Sequence, residues 1–445
     1  MASKVYFMDD RYAGLPTSLP AKAQQLFDHA DLGGCFEPGD SVAIKCHMGE
    51  WYNSAYLRPI LIRAVVDKVK EHGGIPFVTD TTTAPYMHYC SRSTAQFHLE
   101  TAAANGFTPD SMGCPIIISD GMYGTEDVRV DLPDGILLKE GFLAKGIADA
   151  DAMIAVNHFK GHGSGVYGGS IKNVAIGCSS KRGKLNVHLT THPEIGWDKW
   201  SFHGENCIGE ECPDAVVCNN LCPVGAIKVE KDHMEWDREA CIGCFGHQRP
   251  FFRCDVWGKE SYEEWKTWFL IAMGDAATAY LRYMGDEHVG FLTYAIDITP
   301  ACDCAPGADR PVLPNLGVFA SRDMVAIDVA ALDMADKAPG IPGSMAQEKG
   351  VMEPGDEKFT GIVGMSQWVT VNTCSRLGSG SKDYELVLLP VSDIEADYCF
   401  PRLSPERPIG HYLAKGLRKF GTWIPEGGYK YNKEPSVPYE ELTKR

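Results

Sequence analysis

Ala152-Met-Ile-Ala-Val-Asn157-His158-Phe-Lys160-Gly161-His162-Gly163-Ser-Gly165-Val-Tyr-Gly168-Gly169-Ser-Ile-Lys172-Asn173 decides the fold class. Ala152 to Asn157 is an apolar run short enough for a buried strand, the glycines break the chain, and Ser-Ile-Lys172-Asn173 opens a helix. Strand, glycine loop and helix in succession build α/β folds, and a helix start behind glycines is a natural anion cradle.

Outward from this stretch the alternation continues. Ser41 to Lys45 reads as a strand, Tyr56 to Glu71 as an amphipathic helix stopped by Gly73-Gly74, and Ile75 to Thr79 as the next strand. Further strands are expected at Ile116 to Ser119 and Ala152 to Asn157, with a helix at Leu143 to Ala150 between them. The pattern breaks near Trp200 and resumes after Trp257. There a helix is expected from Ser261 to Met284, strands at Val289 to Ile296, Leu316 to Ala320 and Tyr384 to Leu389, and a helix at Val325 to Asp336. The expected architecture is therefore two α/β halves with mainly parallel sheets and an inserted cysteine module. Its segments are an N-terminal domain over 1–200, the module over 201–258, a second α/β domain over 259–399 and a C-terminal extension over 400–445. That Pro-rich, aromatic and basic extension lacks periodicity and is expected to pack on this subunit or on a partner, a homo-oligomer being one such arrangement.

With 445 residues and 44% hydrophobic content, the chain can bury a large core without disulfides. Its formal charge of −17 disfavours nucleic acid and anionic membranes as partners. A small molecule or a redox partner protein is expected instead. No signal-peptide pattern and no apolar window of about eighteen residues is present, so a cytoplasmic location is expected.

Of sixteen cysteines, seven fall between Cys207 and Cys254, a clustering that indicates metal rather than disulfides. Cys207-Ile-Gly-Glu-Glu-Cys212, Cys218 and Cys222-Pro223-Val-Gly-Ala-Ile227 finish as a ferredoxin cluster motif does. Thiolates are soft, anionic donors suited to iron. In two-cluster ferredoxins the cysteine before proline serves the other cluster, so Cys207, Cys212, Cys218 and Cys254 are assigned to one 4Fe-4S cluster and Cys222, Cys241 and Cys244 to a second. The second set is one thiolate short. His247 stands where the next cysteine is expected, which leaves a His-ligated cluster, a 3Fe-4S cluster or an open iron site. Structural zinc also takes Cys-x-x-Cys pairs, but the cysteine number and the Cys-Pro-x-Gly-Ala-Ile ending favour clusters.

Between Asp151 and Glu194 no acidic residue occurs, while Lys160, Lys172, Lys181, Arg182 and Lys184 join His158, His162, His188 and His192. This points to an anionic small molecule, with Gly163, Gly165, Gly168, Gly169 and Asn173 as the cradle; a plain glycine turn with solvated lysines is the bland alternative. Lys160 and Lys172 are candidates for charge pairing or proton transfer, and His158 and His162 for acid–base work or metal ligation. Gly163-Ser-Gly165-Val-Tyr-Gly168 fits the letters of a dinucleotide fingerprint. It starts too far from the strand, however, and has no acidic residue downstream for a ribose. Lys45-Cys46-His47 and Asp80-Thr81-Thr82 follow strands, where parallel sheets present ligand groups, so Lys45 and Asp80 join the candidates beside capping or turn roles. Cys302-Asp303-Cys304 is too tightly spaced for an easy disulfide; its thiols are candidates for an additional metal, a redox pair or small buried groups. Asp309, Asp323 and Asp328 read as caps or solvated charges.

Val42-Ala-Ile-Lys45, Phe77-Val-Thr-Asp80-Thr-Thr, His158-Phe-Lys-Gly-His162, Gly168-Gly-Ser-Ile-Lys172-Asn173 and Asp297-Ile-Thr-Pro-Ala-Cys302-Asp-Cys304 resemble the bacterial family called domain of unknown function 362, over roughly Val5 to Leu389. Its iron–sulfur members carry a ferredoxin-like insertion where this chain has Cys207 to Cys254. The resemblance implies no established reaction. Cys46 and His247 depart from the family pattern. More loosely, His162 and Lys172 across a Gly-Gly pair look like the His and Lys around the nickel-pincer cofactor of lactate racemase. Three functions are thus expected in turn. The first is an iron–sulfur oxidoreductase acting on an anion between the halves. The second is an electron-transfer subunit docking to a partner enzyme, and the third a non-redox metal or pincer enzyme acting on hydroxy acids.

Overall fold

Ala152–His158 and Val289–Ala295 are buried along their whole length, which a strand achieves only inside a sheet covered on both faces. In the computed structural model, which describes residues 2–14, 17–85, 90–196, 201–244, 255–258 and 262–389 together with 430, 436, 437 and 441, the two pair in parallel within an eight-stranded sheet. The chain divides into Met1–Glu395 and Ala396–Arg445; the elements below belong to the first unit.

In chain order the strands are β1 (Ser3–Asp9), β2 (Ser41–Lys45), β3 (Ile75–Asp80), β4 (Ile116–Ile118), β5 (Asp127–Asp131), β6 (Glu140–Ala144), β7 (Ala152–His158), β8 (Lys160–His162), β9 (Val166–Gly168), β10 (Ile227–Val229), β11 (Met234–Trp236), β12 (Val289–Ala295), β13 (Gly317–Ser321) and β14 (Tyr384–Leu388). The large sheet runs β14-β1-β13-β12-β7-β2-β3-β4. Every neighbouring pair is parallel except those made by β13, which is antiparallel to β1 and β12. Alternate residues of β7 serve opposite faces, as the two-residue period of a strand requires. Ile154 and Val156 enter one core with Phe27, Leu61 and Tyr294, and Met153 and Ala155 enter the other with Ile171, Phe269 and Phe291.

A mixed α/β fold with a mainly parallel central sheet is therefore present. The two halves do not form separate sheets: β12 from beyond the cysteine module pairs with β7 from before it, because strands buried on both faces leave neither free to end a sheet. The helix expected at Leu143 to Ala150 is another difference. Leu143 and Ala144 pair with Val128 and Asp127 in a hairpin, leaving only Lys145–Ala148 helical. The glycine loop is a second small hairpin, β8 and β9, before the short helix Ser170–Ala175.

Within the module, helix Ala215–Leu221 carries Cys218 and packs near the hairpin of β10 and β11. Phe202, Trp236 and Trp257 meet with ring centroids 4.9–5.7 Å apart, and buried Ala215, Ile227, Met234 and Trp257 join the same core as β7 and helix Tyr262–Met284. Among the described residues all cysteines are free thiols. His247 and Cys254, expected as ligands, lie outside the described residues.

Candidate functional site at the carboxyl edge of the sheet

Adjacent parallel strands bring their carboxyl ends to one edge, so β12, β7, β2 and β3 deliver the loops after Ala295, His158, Lys45 and Asp80 side by side. A cavity of 650 Å³ opens there. Lys45, Asp80, His158, Lys160, His162, Gly168, Gly169, Lys172, Asn173, Cys302 and Cys304 all line it, so most of the residues nominated from sequence converge. Gly163 and Gly165 are not among the lining residues, and neither are the described module cysteines.

Polar side chains fasten these loops to one another. Lys45 Nζ lies 2.9 Å from Asp80 and donates to Asn173 Oδ1 at 2.8 Å, while Asn173 Nδ2 donates to Asn157 Oδ1 at 2.8 Å. Helix Ser170–Ala175 is thereby tied to β2 and β7. Burial alone would raise the Asp80 carboxyl, but the charge of Lys45 outweighs it and holds the group well below the usual range. Arg92 lines the cavity and pairs with Glu50 at 3.0 Å, both nearly inaccessible to solvent. Sequence reasoning missed this pair, because nothing local links residues so far apart.

Asp303 is the second anchor. It accepts from His158 Nδ1 at 2.8 Å and from Lys160 Nζ at 3.0 Å, and its backbone oxygen accepts from Glu50 N. His158 Nε2 faces the Ile296 carbonyl at 2.7 Å. Both ring nitrogens are engaged by protein acceptors. His158 is thus committed to holding Asp303 rather than standing free for acid–base work. Burial opposes ionisation of Asp303, but His158 and Lys160 together hold its carboxyl far below normal.

The flanking thiols differ. Lys172 Nζ lies 3.6 Å from Cys302 Sγ, and Cys304 Sγ lies 3.8 Å from His162 Nε2. Cys304 donates to Cys302, which together with Lys172 lowers the Cys302 thiol against the effect of burial, while the Cys304 thiol is raised. His162 Nδ1 accepts from Gly165 N at 2.7 Å, which places the ring proton on Nε2. Burial, then the charge of Lys172, bring His162 down to about 3, so it is neutral near pH 7. The close approach of the two loops depends on Gly161. A Cβ there would lie 2.7 Å from the Pro300 carbonyl oxygen and 2.9 Å from Pro300 Cα.

The anion cradle expected at the start of helix Ser170–Ala175 is filled from within. Asp328 accepts from Ser170 N at 2.7 Å, from Ile171 N at 3.1 Å and from the Tyr167 hydroxyl at 3.2 Å. A Cβ on Gly169 would stand 2.6 Å from the same carboxylate, which explains that glycine. Asp323 caps helix Met324–Lys337, as the sequence suggested. The cavity's positive charge comes instead from side chains; burial lowers Lys184 among them to about 7, so it is only partly charged near neutral pH. Trp265 and Phe269, from the helix that leaves the cysteine module, supply an apolar wall, and His188 stacks on Phe269 at 4.6 Å.

Comparison with known families agrees with the motifs that meet at this edge. The family described as Domain of unknown function (DUF362) matches residues 42–333. The chain belongs to this family. Part of this DUF362 protein is similar to the ferredoxin-like protein in the nif region of Trichormus variabilis, 33% identical over 70 residues that make up 14% of the chain and 60% of that protein. The corresponding protein of Trichormus azollae matches equally. The chain therefore spans about 60% of the length of these curated relatives. Among solved structures, the lactate racemase apoprotein from Thermoanaerobacterium thermosaccharolyticum aligns with a TM-score of 0.31 and 10% identity, over 66% of this chain and 51% of that one. At that level the likeness carries no argument about the DUF362 protein's function. No described helix is long and apolar enough to cross a membrane.

Proposed function

We propose that this chain is an iron–sulfur oxidoreductase that exchanges electrons with an anionic small molecule bound in the cavity. The observation that carries the reading is the cavity's charge: among the described residues, Lys45, Arg92, Lys160, Lys172 and Lys184 line it against the single carboxylate of Asp80. Three of these cations have carboxylate partners in Asp80, Glu50 and Asp303. Among the described residues, Lys172 and Lys184 pair with none. Lys172 stands beside Cys302 Sγ, and Lys184, lowered to about 7, donates to the Thr81 hydroxyl. Buried lysines with no carboxylate partner suit a carboxylate or phosphate, and an apolar wall beside them suits the remainder of a small organic acid.

The redox half of the reading is supported by the ferredoxin-like relative and by the donor chemistry of the module. Cys207, Cys212, Cys218, Cys222, Cys241 and Cys244 would hold the iron, joined by Cys254 and His247. Backbone N–H groups point at these sulfurs, Gly209 N to Cys207 Sγ at 3.4 Å and Ala226 N to Cys222 Sγ at 3.0 Å, as suits thiolates that carry cluster charge. Such a cluster, when bound, supplies one-electron transfer. Lys172 and Lys184 bind and orient the anion, Trp265 and Phe269 exclude water, and the Asp303 network fixes the loop that faces the ligand.

A second reading, an electron-transfer subunit, draws on exposed Ile208, Val216, Val224 and Ile242, each close in sequence to a module cysteine, where a redox protein would dock. The two readings separate on one experiment. Chemically reduced protein is mixed with a panel of small carboxylates and phosphates while cluster absorbance is followed. Reoxidation by a member of the panel supports the enzyme. Reoxidation by none, in protein with full clusters, contradicts it.

A further inference from the structure

We infer that His162, Cys302 and Cys304 form a three-ligand site for a single thiophilic metal ion, whose open position faces the cavity and takes an oxygen anion. Their ligand atoms lie within 4.8 Å of one another although they come from two separate loops. A tetrahedral ion with metal–sulfur and metal–nitrogen bonds of about 2.3 and 2.0 Å sets sulfur and nitrogen about 3.5 Å apart. The Cys304 to His162 separation is 3.8 Å. Two thiolates and one imidazole with a free position are the donor set of an open zinc-type site rather than a closed structural one.

The shell behind these ligands is already built. Asn53 Nδ2 donates to the Ala305 carbonyl at 3.0 Å and to the Cys302 carbonyl at 3.4 Å, and Ala305 N donates to the Cys302 carbonyl at 2.9 Å. Asp303, between the two thiols, is locked to His158 and Lys160. On the other side, Gly161 N donates to the Thr299 carbonyl at 2.8 Å and brings His162 to the pair. Lys172, 3.6 Å from Cys302 Sγ, and Arg92 supply positive charge beside the open position. Binding displaces the thiol protons to solvent. It also changes the histidine: ligation through Nε2 leaves the ring proton on Nδ1, which then can no longer accept from Gly165 N. The 163–165 turn must therefore move as the ion enters, and Gly163 has open space around it.

The metal assignment stands independently of the clusters. Its substrate class deepens the proposed anion site and rests on that reading. Zinc is the probe because its absorption edge does not register cluster iron. Full-length protein prepared anaerobically is exposed to Zn²⁺, freed of excess, and measured for zinc, iron and sulfide, for its zinc-edge spectrum, and for hydrogen exchange at residues 163–165. The expected result is one zinc per chain with two sulfurs at about 2.3 Å and nitrogen or oxygen neighbours at about 2.0 Å. Faster exchange at 163–165 is expected with it. Cys304→Ser should weaken retention by about tenfold or more, with iron and sulfide unchanged; His162→Gln gives the same readout if that variant fails to fold. A four-sulfur shell, or retention equal in wild type and variants, would overturn the site. Zinc bound as expected in protein lacking iron would sink the cluster reading and leave this one standing.

Discussion

Lys172 Nζ lies 3.6 Å from Cys302 Sγ. The contact joins the short helix after the glycine hairpin to the loop after β12, two motifs 130 residues apart. It makes one site of residues that the sequence presents as two. What holds the loop in position is Asp303, whose carboxylate serves His158 and Lys160 at once.

Replacing Asp303 by Asn is therefore expected to leave buried Lys160 and His158 without their carboxylate partner. Breaking one partner of a buried ion pair costs about 3–5 kcal/mol. Equilibrium unfolding should register a loss of that order, and a loss under about 1 kcal/mol would contradict the anchoring role.

Gly161→Ala places a methyl group against the Pro300 backbone, where neither partner is a flexible side chain. Overpacking of this kind costs about 1–3 kcal/mol. The thermal midpoint should fall accordingly. Gly163→Ala, with nothing within 4 Å of the added carbon, should leave it nearly unchanged.

Asp328→Ala strips the acceptor from Ser170 N and Ile171 N in a buried setting. Each orphaned donor costs about 1–3 kcal/mol. The variant should be destabilised by an amount in that range or above it, measured by chemical denaturation at pH 7.

Lys184 carries a pH signature. Burial lowers it from 10.5 to about 7, with Asp120 and Asp80 offsetting only part of the shift. Between those values the unfolded lysine holds a proton that the folded one has lost, so unfolding takes up a proton and stability rises with pH through this window. Below pH 7 both states are charged and the burial penalty is felt in full. Wild type should gain on Lys184→Met by roughly 1 kcal/mol per pH unit between about pH 7.5 and 9.5. Parallel curves for the two proteins would contradict a depressed lysine.

Much of the fold was legible because buried parallel strands are short apolar runs: β2 matches its expected bounds, and β3, β7, β12, β13 and β14 fall within a residue or so of theirs. Leu143 and Ala144 misled, since a two-residue strand end and a helix start have the same composition and only pairing with Asp127 and Val128 separates them. The union of both α/β segments in one sheet was hidden for the same reason: β7 and β12 choose each other across the whole cysteine module. In the site, lysines, histidines and the Cys302-Asp303-Cys304 loop could be named because their types and positions after strands carry chemistry. Neither the filling of the helix start by Asp328 nor the Glu50–Arg92 pair left a local trace, because each is a tertiary contact between residues ordinary in their own surroundings.

Iron and acid-labile sulfide per chain, measured on anaerobically purified full-length protein beside Cys207→Ser and Cys302→Ser, test the central claim most directly. The account predicts about eight irons with matching sulfide for two 4Fe-4S clusters, or about seven if the set with His247 is 3Fe-4S. It further predicts loss of about one cluster in Cys207→Ser and retention of both in Cys302→Ser. Protein without acid-labile sulfide, or loss of iron in Cys302→Ser with retention in Cys207→Ser, would contradict it.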